Sequence, residues 1–262
     1  MPALQSCSIC GDFALVHREE EQAVKVLADV LAGISEDCPI SDIRSCIFWT
    51  AVTSRHCGLA STVREDAHHG RFPVPEAGSL FQKSALELSQ SVFSESPSEA
   101  SIGLAAINSL IDIDTGKCAE QNAFEILRTK GAGRKVAIVG HFPFVQKLKE
   151  TVASLWVLER NPQEGDLPES AAEEVLPQAD VVGLTATSLI NHTFEYLVSL
   201  CRDCYLVMLG PSTPMTPVLF DHGVHVLSGV MVTDPDAVLR TISQGATFKQ
   251  VQGVRLLTMI AQ

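Results

Sequence analysis

The sequence predicts an α/β fold in two parts, an α+β part followed by a Rossmann-like part with a parallel sheet. From Lys135 onward, short apolar runs alternate regularly with helical segments, whereas the preceding chain places strands before helices. The 262 residues, 46% of them hydrophobic, can bury the core of one large domain or of two smaller ones.

Five apolar runs are the predicted strands of the second part. They are expected at 135–140, 154–159, 179–186, 205–210 and 224–229, with helices at 144–152, 170–176, 189–200, 214–220 and 235–244. Strands that are buried on both faces and joined by crossover helices form a doubly wound parallel sheet. Such a sheet binds ligands at the carboxyl ends of its strands.

The first part has a different pattern. Residues 14–33 carry apolar side chains at helical spacing and end at Gly33, which predicts an opening helix. The β-branched and aromatic run at 45–54 predicts a strand, and a second short strand is expected at 59–63. Helices are expected at 79–92 and 98–110.

The boundary between the parts is expected shortly before a predicted helix at 118–129. This helix leads into the glycine-containing loop at 131–133 and then into the first strand of the sheet. We therefore place the two domains at 1–112 and 113–262.

The charge of the chain argues against two classes of partner. With 31 acidic and 19 basic residues, the formal net charge is −12. Nucleic acids and anionic membranes both attract basic surfaces, so neither is expected as a partner. The chain has no apolar run of membrane-spanning length, and its first residues do not resemble a signal peptide, so we expect a cytoplasmic protein. Base rates for oligomers favour a homodimer.

Polar and glycine residues gather where the predicted strands end. The candidates for ligand binding are His141 after the first strand, Thr187 and Asn191 after the third, Gly210, Ser212 and Thr213 after the fourth, and Ser228 and Gly229 after the fifth. Hydroxyls and free backbone N–H groups beside helix starts can hold a phosphate or a carboxylate. Alternatively, these side chains only cap helices.

Glu159 ends the second predicted strand, where a dinucleotide-binding sheet often holds its ribose-binding acid. The first turn of the sheet, however, is Gly-His-Phe-Pro-Phe at 140–144 and lacks the glycine spacing of a pyrophosphate loop. This argues against a standard NAD site and leaves another nucleotide or S-adenosylmethionine as the alternative.

Histidines and cysteines are the candidate metal ligands. His141 is the first choice because of its position at the sheet edge. Two C-x-x-C pairs, Cys7 with Cys10 and Cys201 with Cys204, are either unligated thiols or parts of a metal site.

Several collinear segments resemble the family of proteins named for heavy-metal chelation. They include TAVTSRHCGLAST at 50–62, EASIGLAAIN at 99–108, VAIVGHFPFV at 136–145, ADVVGLTATSLINHTFEYL at 179–197, LGPSTPM at 209–215 and GVHVLSGVMVTD at 223–234. The resemblance implies an enolase N-terminal-like α+β domain followed by a Rossmann-like domain, with an active site between them. On matching positions it implies roles for Arg55, Gly58 and Asn108 of the first domain, and for the rim residues His141, Thr187, Asn191, Gly210, Ser212 and Thr213 of the second. The C-x-x-C pairs are outside the family pattern.

Three functional hypotheses follow. The leading one is binding of a small anionic or metal-containing ligand between the domains, with a role in heavy-metal chelation or metal-cofactor metabolism and with a divalent or heavy metal ion as the cofactor. The second is a transferase that binds a nucleotide or S-adenosylmethionine, with Glu159 on the ribose. The third is a noncatalytic metal sensor or carrier that uses the cysteines.

Overall fold

The computed structural model describes residues 24–64 and 74–262. Half of the predicted opening helix at 14–33, namely residues 14–23, lies outside the described residues, as do Cys7 and Cys10. Its last turns are present as helix α1, Lys25–Ala32, whose buried face consists of Val26, Leu27, Val30 and Leu31.

The first part is a three-stranded antiparallel sheet covered by helices. The strands follow one another in space as β1 (Asp42–Ser45), β2 (Trp49–Thr53) and β3 (Cys57–Ser61). Helices α2 (Ala85–Ser89) and α3 (Pro97–Leu110) follow, with a 3-10 turn at Gln90–Phe93 between them.

Helix α3 is the central element of the first part. Ser96 caps its start by accepting a hydrogen bond from the Glu99 backbone N–H, and Pro97 occupies the first turn, where a missing N–H costs nothing. The helix packs directly against β3, because Gly58 has no side chain to separate the strand from the backbone of Ala105 and Ser109. Ten of its 14 residues are buried.

The second part contains an eight-stranded sheet in the order β4-β11-β10-β9-β8-β5-β6-β7. The six strands from β10 to β7 are parallel, and β11 and β4 extend the sheet with antiparallel pairings. The strands are β4 (Cys118–Ala119), β5 (Lys135–Val139), β6 (Ser154–Glu159), β7 (Leu167–Pro168), β8 (Val181–Thr185), β9 (Tyr205–Leu209), β10 (Val226–Val232) and β11 (Val254–Ile260).

Helices cover both faces of this sheet. They are α4 (Ala123–Gly131), α5 (Val145–Lys149), α6 (Ala172–Val175), α7 (Phe194–Leu200) and α8 (Pro235–Ser243). Val136 and Ile138 of β5 pack with α4 and α5, whereas Ala137 and Val139 face the core that contains α6 and α7. This alternation explains why the strand is buried along most of its length.

The two parts share one core. The cluster that contains α6 and α7 also contains Val30 of α1, Val52 of β2 and Ile107 of α3. A smaller cluster joins Leu59 of β3 to Leu239 of α8. The first part therefore packs against the sheet through apolar side chains as well as through polar contacts.

The structure is a mixed α/β fold with a mainly parallel sheet, as predicted. All five strands predicted for the second part are present, as β5, β6, β8, β9 and β10. The boundary at 112, the enolase-like first domain and the Rossmann-like second domain remain predictions. Within the described residues, no helix has the length and apolar character needed to cross a membrane.

Several predicted elements were wrong in detail. The run at 45–54 is divided between the end of β1 and β2, because the chain reverses over 46–48. The predicted helix at 214–220 is a 3-10 helix at Pro217–His222, and the helix predicted from Cys118 begins at Ala123. Strands β4, β7 and β11 were not predicted. Ser228 and Gly229 lie within β10 and not beyond its end, because pairing with β11 extends that strand.

Candidate functional site

A cleft of about 870 Å³ lies at the carboxyl ends of β5, β6, β8 and β9. After β5, the chain first forms β6 and β7 on one side of β5. It then forms β8, β9 and β10 on the other side of β5. This reversal of strand order opens a crevice between β5 and β8, which is where open α/β sheets bind ligands. Trp49 and Ser61 of the first part also line the cleft.

Gly140 sets the course of the loop that follows β5. Its φ of 101° is in the left-handed region, and a Cβ there would lie 3.1 Å from the Cβ of Thr185 on β8. The glycine thus allows the chain to turn closely against the neighbouring strand, and the next residue, His141, lines the cleft.

His141 is held by two carboxylates. Its backbone N–H donates to Glu159 Oε2 at 2.8 Å, and its Nδ1 lies 2.9 Å from Asp166 Oδ2. The Asp166 side chain is only 4% exposed. Because a carboxylate accepts, Nδ1 of the neutral imidazole carries the hydrogen, and Nε2 presents a lone pair. Nε2 has no hydrogen-bond partner among the described residues. This is the arrangement that orients metal-binding histidines.

Glu159 has a positioning role in the β5 loop. Its second oxygen, Oε1, accepts the N–H of Arg160 at 2.8 Å, so both carboxylate oxygens bind backbone groups. Glu159 lines the cleft. Its oxygens are already used in the structure, which weakens the expectation that it binds a ribose.

Aromatic side chains form two walls of the cleft. Phe142 and Phe144 stack with a centroid distance of 5.3 Å and an interplanar angle of 13°, and Phe124 packs beside them. Trp49 of the first part packs on Phe248, with centroids 5.5 Å apart. All five rings line the cleft.

Thr187 and Asn191 follow β8, and both line the cleft. The Thr185 hydroxyl accepts the Thr187 N–H, and Asn191 Oδ1 accepts the hydroxyl of Thr193 at 2.8 Å. These local contacts are of the helix-capping kind, which the sequence analysis gave as the alternative to ligand binding. The Asn191 amide nitrogen has no partner among the described hydrogen bonds and is available to a ligand.

The turn after β9 joins the first part to the edge of the sheet. Gly210 has φ of 117°, and the Ser212 side chain that follows is buried. Ser212 Oγ accepts the Ser61 N–H at 2.8 Å, and Asn108 Nδ2 donates to the carbonyls of Leu59 and Ser212 at 3.0 and 3.2 Å. Ser212 and Asn108 thus connect the two parts of the molecule.

Four residues implied by the resemblance do not line the cleft. Gly58, Asn108 and Thr213 line a second cavity of about 180 Å³ on the other side of the Ser212 turn. Arg55 is bound to Asp112 at 2.8 Å and to Glu36 at 3.2 Å. A hydrogen bond from His56, together with Arg55, lowers the pKa of Asp112.

Sequence reasoning missed the basic side chains of the cleft. Lys147 of α5, Arg160 and Lys249 line it. Arg160 is paired with Glu169 at 3.2 Å, whereas Lys147 and Lys249 form no ion pair with the described residues. The signal for Lys147 was its place on the helix after β5, but Lys249 comes to the cleft only through the packing of the 3-10 helix at Phe248–Gln250.

Two family models match the chain, at residues 122–260 and 28–111, and both carry the description "Putative heavy-metal chelation". The first match alone covers more than half of the chain. The chain belongs to the DUF364 family. An uncharacterized protein of Methanocaldococcus jannaschii is 28% identical over 149 residues, which are 54% of this chain and 58% of that protein. The match thus spans less than two thirds of its relative.

Two solved structures of DUF364 proteins, both described as of unknown function, are similar to this one. The protein from Desulfitobacterium hafniense is 28% identical, with a TM-score of 0.79. The protein from Pyrococcus horikoshii is 20% identical, with a TM-score of 0.78, and this second likeness concerns the fold alone. Each alignment covers 92% of this chain and 100% of the other.

The residues of the cleft fit a metal ion only in part. Across 24–64 and 74–262, no group of three or more His, Cys, Asp or Glu side chains is placed to hold a metal ion. His141 can supply one nitrogen ligand, already oriented by Asp166. A metal ion in this cleft would therefore need further donors from a bound small molecule.

Proposed function

We propose that the cleft binds a small organic molecule that carries anionic groups and a metal ion, and that His141 Nε2 supplies the protein's ligand to the metal. The observation that carries the proposal is the His141 imidazole, which lines the cleft with Nδ1 held by the buried Asp166 and Nε2 without a partner among the described residues. Binding of this kind would serve heavy-metal chelation or metal-cofactor metabolism.

The size and walls of the cleft support an organic ligand. A volume of about 870 Å³ is within the range of cofactor sites, which are largely apolar with a few polar groups. The stacked Phe142 and Phe144 face a cleft that Trp49 and Phe248 also line. Flat aromatic rings on more than one wall suit a planar, conjugated molecule.

The charges of the cleft support anionic groups on the ligand. The chain has a net charge of −12, yet Lys147 and Lys249 line the cleft without acidic partners in the described residues. Two separate ammonium groups can bind carboxylates or phosphates at the periphery of a planar molecule.

The described cysteines are all free thiols, which suits the expected cytoplasmic setting.

The first experiment compares the metal-bearing and metal-free forms of one tetrapyrrole in a thermal-shift and binding titration. We expect the wild-type protein to bind the metal-bearing form more tightly. His141→Ala should remove this preference, and Asp166→Asn should weaken binding of the metal-bearing form by about 10- to 100-fold, because the imidazole loses its orienting partner. Neither change should alter the affinity for the metal-free form.

A matched control is available in the same chain. His56 and Asp112 form a similar pair, 2.7 Å apart, outside the large cleft. His56→Ala should leave both affinities unchanged. The proposal fails if His141→Ala keeps the preference for the metal-bearing form, or if His56→Ala removes it equally.

The same titration separates the nucleotide alternative. Nucleotides and S-adenosylmethionine are tested alongside the tetrapyrrole and divalent metal ions. Saturable binding of a nucleotide or S-adenosylmethionine that is lost in Glu159→Gln would favour the transferase. Because both Glu159 oxygens already accept backbone N–H groups, we expect no such dependence.

A further inference from the structure

The loop that carries Asn191 into the cleft contains an uncommon backbone conformation. The next residue, His192, has φ of 57°, in the left-handed region that residues with a Cβ seldom adopt. Such a conformation persists only where the surrounding structure enforces it, and it is often found beside functional sites. The His192 side chain does not line the cleft, and the proposed function gives it no role.

The imidazole of His192 binds the first part of the molecule. Its Nε2 lies 2.7 Å from the carbonyl oxygen of Val92. Because a carbonyl only accepts, Nε2 carries the hydrogen and donates it. This bond joins the loop that follows β8 to the 3-10 turn at Gln90–Phe93.

Val92 is held firmly on helix α3. Its side chain is fully buried. Its backbone lies directly against the helix, because a Cβ at Gly103 would be only 2.1 Å from the Val92 nitrogen. The turn and the helix are thus in backbone contact, and the carbonyl that accepts from His192 has a fixed position on α3.

The conformation of residue 192 controls the orientation of the Asn191 amide. Asn191 Oδ1 accepts the N–H and the hydroxyl of Thr193 at 3.3 and 2.8 Å. Only His192 separates these two residues, so its φ determines whether Thr193 lies within reach of Oδ1. With Oδ1 held in this way, the Asn191 Nδ2 group has no partner among the described hydrogen bonds and can donate to a ligand.

We propose that His192 is a positioning residue of the cleft. Its bond to Val92 keeps residue 192 in the left-handed conformation, and the Asn191 amide is thereby oriented to donate to a carboxylate or phosphate oxygen of the ligand. This inference rests on the proposed function in one respect, that an anionic ligand occupies the cleft. It depends neither on the metal ion nor on His141.

The first test is a double-mutant cycle that uses a metal-free tetrapyrrole with carboxylate groups and the full-length protein. Asn191→Ala should weaken binding by about 10-fold, because it removes a hydrogen bond to a charged oxygen. His192→Leu should weaken binding by up to the same factor. Since both act through one amide, the double variant should bind no more weakly than Asn191→Ala alone, whereas independent effects would multiply to about 100-fold.

His192→Gln is the conservative variant in this test. The Nε2 group of glutamine can donate to the Val92 carbonyl in place of the imidazole Nε2. It should therefore restore most of the affinity that His192→Leu loses. A histidine that contributed only apolar packing would not be replaced in this way.

His222 supplies a matched control. Its Nε2 lies 2.9 Å from Asp29 Oδ2 of α1, so this imidazole also joins the second part to the first, but it does not line the cleft. His222→Leu should leave the affinity unchanged, even if it lowers the melting temperature. Circular dichroism and thermal melting check that every variant is folded at the temperature of the titration.

Hydrogen exchange tests the same role in the protein without ligand. The N–H groups of Asn191 and Thr193 donate to the carbonyls of Thr187 and Ser188 at 3.1 and 2.9 Å. In His192→Leu, peptides that span 187–193 should exchange faster than in the wild type, whereas peptides of β5 and β9 should keep their rates. A general loss of stability would accelerate exchange in all of them.

A second variant is available if His192→Leu does not fold. Asparagine tolerates the left-handed region, but its side chain is shorter than that of histidine. His192→Asn should therefore weaken binding less than His192→Leu, and it too should have no effect when Asn191 is already alanine.

The proposal is overturned if His192→Leu binds the tetrapyrrole as the wild type does, if the losses in the double variant multiply, or if His192→Gln loses as much affinity as His192→Leu. Failure of the proposed function gives a different result, in which the wild type itself binds no tetrapyrrole. Exchange then decides, and unchanged rates for 187–193 in His192→Leu overturn the positioning role.

Discussion

At the scale of single residues, the surroundings of Glu195 change the acidity of its side chain. Its Oε1 accepts the N–H of Val26 at 2.9 Å, which ties the start of α1 to α7. Its Oε2 is buried and has no partner among the described residues. Burial raises the pKa of Glu195 above the ordinary value of 4.5.

This raised pKa predicts a pH dependence of stability. The pKa of Glu195 is higher in the folded state than in the unfolded state. The contribution of its protonated form to the free energy of unfolding is therefore complete below pH 4.5 and is lost as the pH rises through the folded pKa. Glu195→Gln is neutral throughout, so its stability relative to the wild type should increase as the pH rises above 4.5. Urea unfolding across this range measures the difference. The exposed Glu174→Gln is the control, and parallel pH curves for Glu195→Gln and the wild type would contradict the prediction.

The sequence identified some cleft residues but not the network that holds them. His141, Glu159, Thr187, Asn191, Gly210 and Ser212 were predicted because polar residues that follow parallel strands meet at one edge. Asp166 lies in an irregular segment 25 residues after His141, and no local pattern links the two. Trp49 and Ser61 reach the cleft only because the first part packs on the sheet.

At the scale of elements, the contact between α3 and β3 determines how closely the first part is packed. A Cβ at Gly58 would overlap the carbonyl oxygen of Ala105 and the amide nitrogen of Ser109. Both are backbone atoms, so the helix would have to move as a whole. The ligand-binding role that the resemblance implies for Gly58 stays a prediction, whereas the packing gives this residue a structural role.

We predict that Gly58→Ala destabilises the protein by about 3 kcal/mol or more, at the upper end of the cost of overpacking. The matched control is Gly116→Ala, where the nearest atom to a new Cβ would be the flexible Asp114 Oδ1 at 3.2 Å. Urea unfolding midpoints measure both. A Gly58→Ala variant as stable as Gly116→Ala would show that α3 can shift without cost.

Strand β11 is an example of an element that local sequence patterns do not predict. Val254–Ile260 follows α8 and pairs antiparallel with β10, from which it is separated by that helix. No tight turn in the sequence predicts this pairing. The exposed Leu256 and Ile260 also interrupt the alternation of apolar and polar residues that would indicate a strand. The five central strands were predictable because each is a compact apolar run followed by a helical segment.

At the scale of the whole molecule, the shared core predicts that the two parts unfold together. The chain has two tryptophans, Trp49 in β2 of the first part and Trp156 in β6 of the second. Trp49→Phe and Trp156→Phe each leave a single reporter. In each variant, the fluorescence midpoint of thermal unfolding should coincide with the midpoint from circular dichroism, as in a cooperative transition.

The outcome also bears on the domain division at residue 112. If the Trp49 signal changes at a lower temperature than the circular dichroism signal, the first part unfolds independently, and the contacts of Val30, Val52 and Ile107 with the sheet core contribute little. Coincident midpoints would show that the two predicted domains depend on one another for stability.

The two carboxylates around His141 also affect the rate of binding. Glu159 fixes the backbone of the residue and Asp166 fixes its ring, and both contacts exist in the protein before a ligand arrives. The entropy lost in ordering the imidazole is therefore lost when the chain folds and not when it binds. A ligand that enters the cleft should be captured without a slow isomerisation of this side chain, so the observed association rate should rise linearly with ligand concentration.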